Sequence, residues 1–136
     1  MIKSYKDLKV WQKGRELVRA VYVVTESFPK KEQYRLADQL CRAVVSVPSN
    51  IAEGSSRRST QEYIRFVNIA FGSLAEVETQ LILAMDLGYI SEKELNTISN
   101  DVTELAKMLN ALLNALTQKT LTPNITKLQT LNSKLS

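Results

Sequence analysis

The stretch LADQLCRAVVSVPSNIAEGSSRR, residues 36–58, decides the fold. Leu36, Leu40, Ala43, Val44, Val47 and Ile51 recur at steps of three and four, which is the period of one buried helical face. Pro48 falls within that pattern. It lacks an N–H, and its ring crowds the carbonyl four residues back, so a kink is expected. Such a residue costs roughly 3 kcal/mol in a helix interior and persists only where packing on both sides holds the helix. Gly54 suits a left-handed residue that closes a helix, and Arg57 and Arg58 follow at once. A second stripe, Ala37, Cys41, Val45 and Ala52, lies beside the first.

Working outward, residues 1–6 are a basic lead-in to a first helix from about Asp7 to Glu26. Leu8, Trp11, Val18, Val21, Tyr22 and Thr25 are its expected inward residues, although its second half is apolar nearly all round. Phe28-Pro29 breaks it, and Pro29 suits the first turn of a second helix spanning about Lys31 to Glu53. Ser59 and Glu62 form a capping box for a third helix. Tyr63, Val67, Ala70, Leu74, Val77, Leu81 and Ala84 then give an unbroken heptad seam, with Ile64, Phe71, Ala75 and Ile82 beside it, and Gly88 ends the run. Ser91 and Glu94 repeat the box before a fourth seam, Leu95, Ile98, Val102, Leu105, Leu109, Leu112 and Leu116.

Four helices with short connections predict an all-α, up-down-up-down antiparallel four-helix bundle over residues 1–120, with a kinked second helix. Residues 121–136 are read as a short C-terminal tail, either a docking helix or disordered. This topology puts the N-terminus and the second connection at one end, so Lys3, Lys6 and Lys9 should share it with Arg57 and Arg58. Residues 1–58 hold 12 Lys/Arg against 6 Asp/Glu, a net +6, whereas residues 59–136 hold 6 against 8, a net −2. A basic end of this kind is either a polyanion-binding face or a solvated surface. No apolar run approaches the roughly 20 residues of a membrane span, and the single cysteine, Cys41, fits a reducing compartment; the expected location is cytoplasmic.

The chain of 136 residues has no histidine, which removes the Glu-x-x-His dimetal site of ferritin-like bundles and any histidine general acid–base. Its four glycines stand singly, so no phosphate-cradling loop is present, and no metal or other cofactor is expected. Cys41 sits in an apolar stripe and reads as a packing residue. The expectation is therefore a protein that is not an enzyme. Gln39, Arg42, Asn50, Glu53, Glu76 and Gln80 lie near the buried faces of the second and third helices. They form either a binding pocket or a polar network that fixes register or a subunit contact.

Several stretches resemble the bacterial four-helix-bundle family first noticed as reading frames within intervening sequences of 23S ribosomal RNA genes. They are Asp7-Leu8-Lys9-Val10-Trp11-Gln12, Phe28-Pro29, Gln39 with Arg42-Ala43, Ser49 through Gly54, Gly72 through Glu76 with Gln80-Leu81, and Leu87-Gly88-Tyr89-Ile90. They cover about residues 5–115 in order. Cys41 stands where arginine is frequent and Gly14 where alanine is frequent, which leaves Arg42 alone of a basic pair. The resemblance implies a closed bundle assembling as a homopentamer. It also implies kinship with the accessory variability proteins of diversity-generating retroelements, which bind a reverse transcriptase and nucleic acid. Two readings follow. One is a non-enzymatic oligomeric adaptor that meets nucleic acid through phosphate contacts at Lys3, Lys6, Lys9, Arg57 and Arg58. The other is a structural oligomer that binds a protein partner and has no nucleic-acid role.

Overall fold

The computed structural model describes residues 4–135, with side chains for residues 4–121; Lys3 lies outside the described residues. Four α-helices follow one another: α1 (Lys9–Thr25), α2 (Leu36–Ser55), α3 (Thr60–Asp86) and α4 (Glu92–Leu135). Two 3-10 turns, Tyr5–Asp7 and Lys30–Glu32, precede α1 and α2. Each helix packs on its sequence neighbours and α1 closes on α4. That ring of contacts is the antiparallel four-helix bundle the periodicities predict. The docking of residues 122–136, expected as a tail, lies outside the described side chains.

The caps explain where the helices begin and end. Ser59 Oγ accepts from the Glu62 N–H at 3.1 Å to open α3, and Glu62 turns its carboxylate to Arg65 at 3.5 Å. At α4 the capping box is reciprocal: the Glu94 N–H donates to Ser91 Oγ and the Ser91 N–H to Glu94 Oε1, both at 3.0 Å. Gly88 at φ 79° closes α3, with the Tyr89 N–H on the Ala84 carbonyl and the Gly88 N–H on that of Met85. This is a Schellman closure, for which glycine is suited because it has no Cβ to strain.

Four sequence expectations need correction. Gly54 is not left-handed; it lies buried inside α2, which runs on to Ser55. A Cβ there would stand 2.8 Å from Phe66 Cβ and 3.0 Å from Tyr63 Cδ1, so the glycine serves the close approach of α3. The second helix starts at Leu36, not near Lys31. Between them the polar groups point elsewhere: Gln33 Nε2 donates to the carbonyls of Phe28 and Thr25, and Glu32 Oε2 accepts from the Tyr89 hydroxyl at 2.7 Å.

The buried face of α1 is Val10, Gly14, Leu17, Val21 and Val24 with Thr25; of the expected inward residues Leu8, Trp11 and Val18 pack half-buried against the core, and Tyr22 is exposed. An all-round apolar segment leaves helical phase open, and the contact of Gly14 with Pro48, 3.4 Å from a notional Cβ, accompanies the phase adopted. Finally, α3 is long and apolar enough, by length and composition, to cross a membrane. A core helix passes the same test, and here its stripe from Val67 to Ala84 is buried in the bundle. Pro48 lies within α2 without ending it.

Candidate functional site

The basic end assembles as the topology requires. The first turn touches α2, and α1 runs antiparallel to α2 with Gly14 against Pro48, so Lys6 and Lys9 lie at the end that carries Arg57 and Arg58. The cations differ in how far they are spent. Arg57 donates to Glu53 Oε1 at 2.8 Å and lies over the Phe66 ring at 4.8 Å. Arg65 reaches the same ring at 5.5 Å. The N-terminus of α3, which otherwise suits an anion, already holds Ser59 and Glu62. Lys6, Lys9 and Arg58 are exposed and form no ion pair among the described residues.

The six polar residues expected near the inner faces of α2 and α3 do not form one network. Gln80 is buried, and its Nε2 donates to Glu76 Oε1 at 3.1 Å and to Gln39 Oε1 at 3.4 Å across the two helices. Asn50 donates to the Ser46 carbonyl and hydroxyl at 2.8 Å each, and Ser46 bonds Ser73 of α3, also at 2.8 Å. Arg42 is exposed and pairs with Asp38 at 3.0 Å, while Glu53 is taken by Arg57. Two small bridges thus tie α2 to α3, and Arg42 and Glu53 belong to the surface.

Sequence reasoning missed the outer face of α1. Lys6, Trp11, Gln12, Arg15, Glu16 and Arg19 line a concavity of about 610 Å³. Gln12 Nε2 donates to the Lys6 carbonyl at 2.9 Å and ties the first turn to the helix. Tyr5 packs edge-on against Trp11 at 5.3 Å, and the Arg15 guanidinium lies over the indole at 5.7 Å. The signal was available: Trp11, Arg15 and Arg19 recur at steps of four on one helical face. An apolar groove of about 490 Å³ between α1 and α4 and a depression of about 350 Å³ beside Cys41 complete the larger concavities described.

Three groups have displaced pKa values. Lys13 is raised above 10.5 because Asp101 accepts from it at 3.1 Å and Glu104 lies at 3.2 Å, against an opposing effect of burial. Tyr89 is raised above 10.0 by its hydrogen bond to Glu32, since ionisation would set an anion beside the carboxylate. Burial alone raises Tyr63. Among the described residues, no three His, Cys, Asp or Glu side chains are grouped to hold a metal ion.

Comparison with known proteins gives two positive findings. The model of a family described as 23S rRNA-intervening sequence protein matches residues 6–111. Among solved structures, the chain is similar to a protein of unknown function from the S23 ribosomal protein family of Bacteroides thetaiotaomicron, with 28% identity and a TM-score of 0.70 over 77% of this chain and 95% of that one. No curated protein matches.

Proposed function

From the premise that the chain belongs to the 23S rRNA-intervening sequence protein family, we propose that it is a non-enzymatic adaptor that assembles with itself and associates with nucleic acid through its basic end. The observation that carries this reading is the cluster of Lys6, Lys9 and Arg58, exposed and unneutralised at one end of the bundle, with Arg57 beside them. Lysine and arginine at such a face neutralise phosphates, and phosphate contacts position a ligand without reading its sequence. One subunit offers few such contacts. A homo-oligomer, which the resemblance to ring-forming bundles makes a pentamer, presents the cluster several times and gains by effective concentration. A reverse transcriptase is the protein partner that the same resemblance brings with it.

The test is a fluorescence-anisotropy titration of short RNA and DNA at two salt concentrations. Affinity should depend weakly on sequence and fall as salt rises, and Lys9→Glu with Arg58→Glu should weaken it. Absence of binding at low salt overturns the nucleic-acid reading. A structural oligomer with a protein partner then stands in its place, a reading favoured by the exposed apolar residues Val23, Tyr34 and Leu87.

A further inference from the structure

The basic end is not the only place where positive charge gathers. On the outer face of α1, Lys6, Arg15 and Arg19 meet in the concavity of about 610 Å³ that Trp11 and Gln12 also line. Several other cations are neutralised, although Lys9 and Arg58 at the basic end are not: Lys13 by Asp101 and Glu104, Arg42 by Asp38, Arg57 by Glu53 and Arg65 by Glu62. Lys6, Arg15 and Arg19 have no such partner among the described residues. Glu16, the one acid in the groove's lining, approaches Lys13 at 4.0 Å. Arg15 and Arg19, four apart on α1, repel each other, as like charges at that helical spacing do. A bound anion removes that repulsion.

Charge alone describes any solvated basic surface. The aromatic side chain distinguishes this one. Trp11 is half-buried, Tyr5 braces its ring edge-on at 5.3 Å, and Arg15 lies over it at 5.7 Å. An indole held in place with a guanidinium plane above it, inside a positive groove, has the parts of a single-strand site: cations for the backbone and a flat stacking surface for an unpaired base. A duplex keeps its bases stacked on one another and offers no free base to such a surface.

We propose that the groove of Lys6, Trp11, Gln12, Arg15 and Arg19 binds single-stranded nucleic acid, with phosphates on Lys6, Arg15 and Arg19 and a base stacked on the Trp11–Arg15 pair. This rests on the nucleic-acid reading above and adds to it a groove that adjoins the basic end through Lys6, and a strand preference. Three cations on a single strand give a salt slope of about −2 per subunit, at roughly −0.7 for each phosphate.

Trp11 is the chain's one tryptophan, so its emission reports on this groove. The experiment titrates the full-length protein with a twelve-nucleotide oligouridylate, a duplex of equal length and inorganic phosphate, reading tryptophan emission and anisotropy of labelled oligonucleotide. Arg15→Glu/Arg19→Glu is compared with Arg42→Glu/Lys107→Glu, which changes net charge by the same amount at exposed positions that do not line the groove. Circular dichroism checks that both fold. The single strand should quench Trp11 and bind more tightly than the duplex. The groove variant should lose at least tenfold in affinity, and the control should lose much less. Equal losses in both variants, unchanged emission on binding, preference for the duplex, or the same emission change with inorganic phosphate would each refute the groove while leaving the basic-end reading intact. Failure of every oligonucleotide to bind removes that reading and the groove together.

Discussion

Replacing Gly54 by alanine sets two effects of known sign against each other. Alanine is favoured over glycine in a helix interior by about 1 kcal/mol, largely because the unfolded chain has less freedom to lose. Against this, the new Cβ would stand 2.8 Å from Phe66 Cβ and 3.0 Å from Tyr63 Cδ1. Relaxed carbon contacts lie at about 3.5–4.0 Å, so α2 and α3 must part by roughly 0.7 Å at this end. Phe66 Cβ is fixed to the α3 backbone and cannot swing aside. A gap of that size removes a quarter to a half of each nearby dispersion contact of about 0.1–0.2 kcal/mol, and overpacking a closed interface costs about 1–3 kcal/mol.

The contact term is therefore the larger, and Gly54→Ala should destabilise by about 1 kcal/mol net. Gly54→Val should do so by about 2–3 kcal/mol. Gly72→Ala is the control, because it sits in the interior of α3 with nothing within 4 Å of its notional Cβ. It gains the propensity without the clash and should stabilise by about 0.5–1 kcal/mol. Melting followed by circular dichroism should separate the two by several degrees, at about 3–5 °C per kcal/mol for a chain of this size. Equal stabilisation by both alanines would refute the close-approach account. Gly54→Asn adds a second discrimination. A left-handed closure would tolerate asparagine better than alanine, whereas the contact with Phe66 makes it worse.

Two further predictions concern stability and assembly. Lys13, Tyr63 and Tyr89 all have raised pKa values in the folded protein, so what they contribute is complete below pH about 10 and is lost as pH rises through the folded values. Urea midpoints should therefore fall above pH 10, and Lys13→Met should lower stability by about 0.5–1 kcal/mol at pH 7, a difference that shrinks at high pH; one that persists unchanged would show that the charge is not what matters. Light scattering of the purified protein should give a multiple of its 15.3 kDa mass, with five subunits expected from the resemblance, and Val23→Glu at a 66% exposed position should reduce it if α1 contributes to the contact. A 15.3 kDa species at micromolar concentration refutes assembly.

The helices were legible because their signals are local. A heptad seam such as Val67 to Ala84 names its own buried face, and Ser91 with Glu94 names its own helix start, both without reference to the rest of the chain. Gly54 shows where local reading stops. Near a helix end, glycine means either a left-handed turn or a close approach, and the choice depends on what stands opposite. Here that is Phe66, twelve residues on and in another helix. The face of α1 is legible only in part for a related reason: an apolar sequence on every side does not say that Gly14 and Leu17 take the centre and Tyr22 the outside, which depends on Pro48 of α2 standing against Gly14.

The same distinction governs the candidate site. Arg57 and Arg58 are adjacent cations on a short connection, but charge in a sequence is not charge free at a surface. Glu53, one turn earlier, takes Arg57, and the Phe66 ring covers it. The spacing of Arg15 and Arg19 is as plain, but isolated arginines along a helix are the ordinary pattern of a solvated face. What separates them from that background is non-local in part: Asp101 and Glu104 of α4 hold Lys13, the cation that Glu16 approaches at 4.0 Å. Glu16 stays in the lining of the groove yet pairs with neither Arg15 nor Arg19 among the described residues, so three cations face one acid beside Trp11.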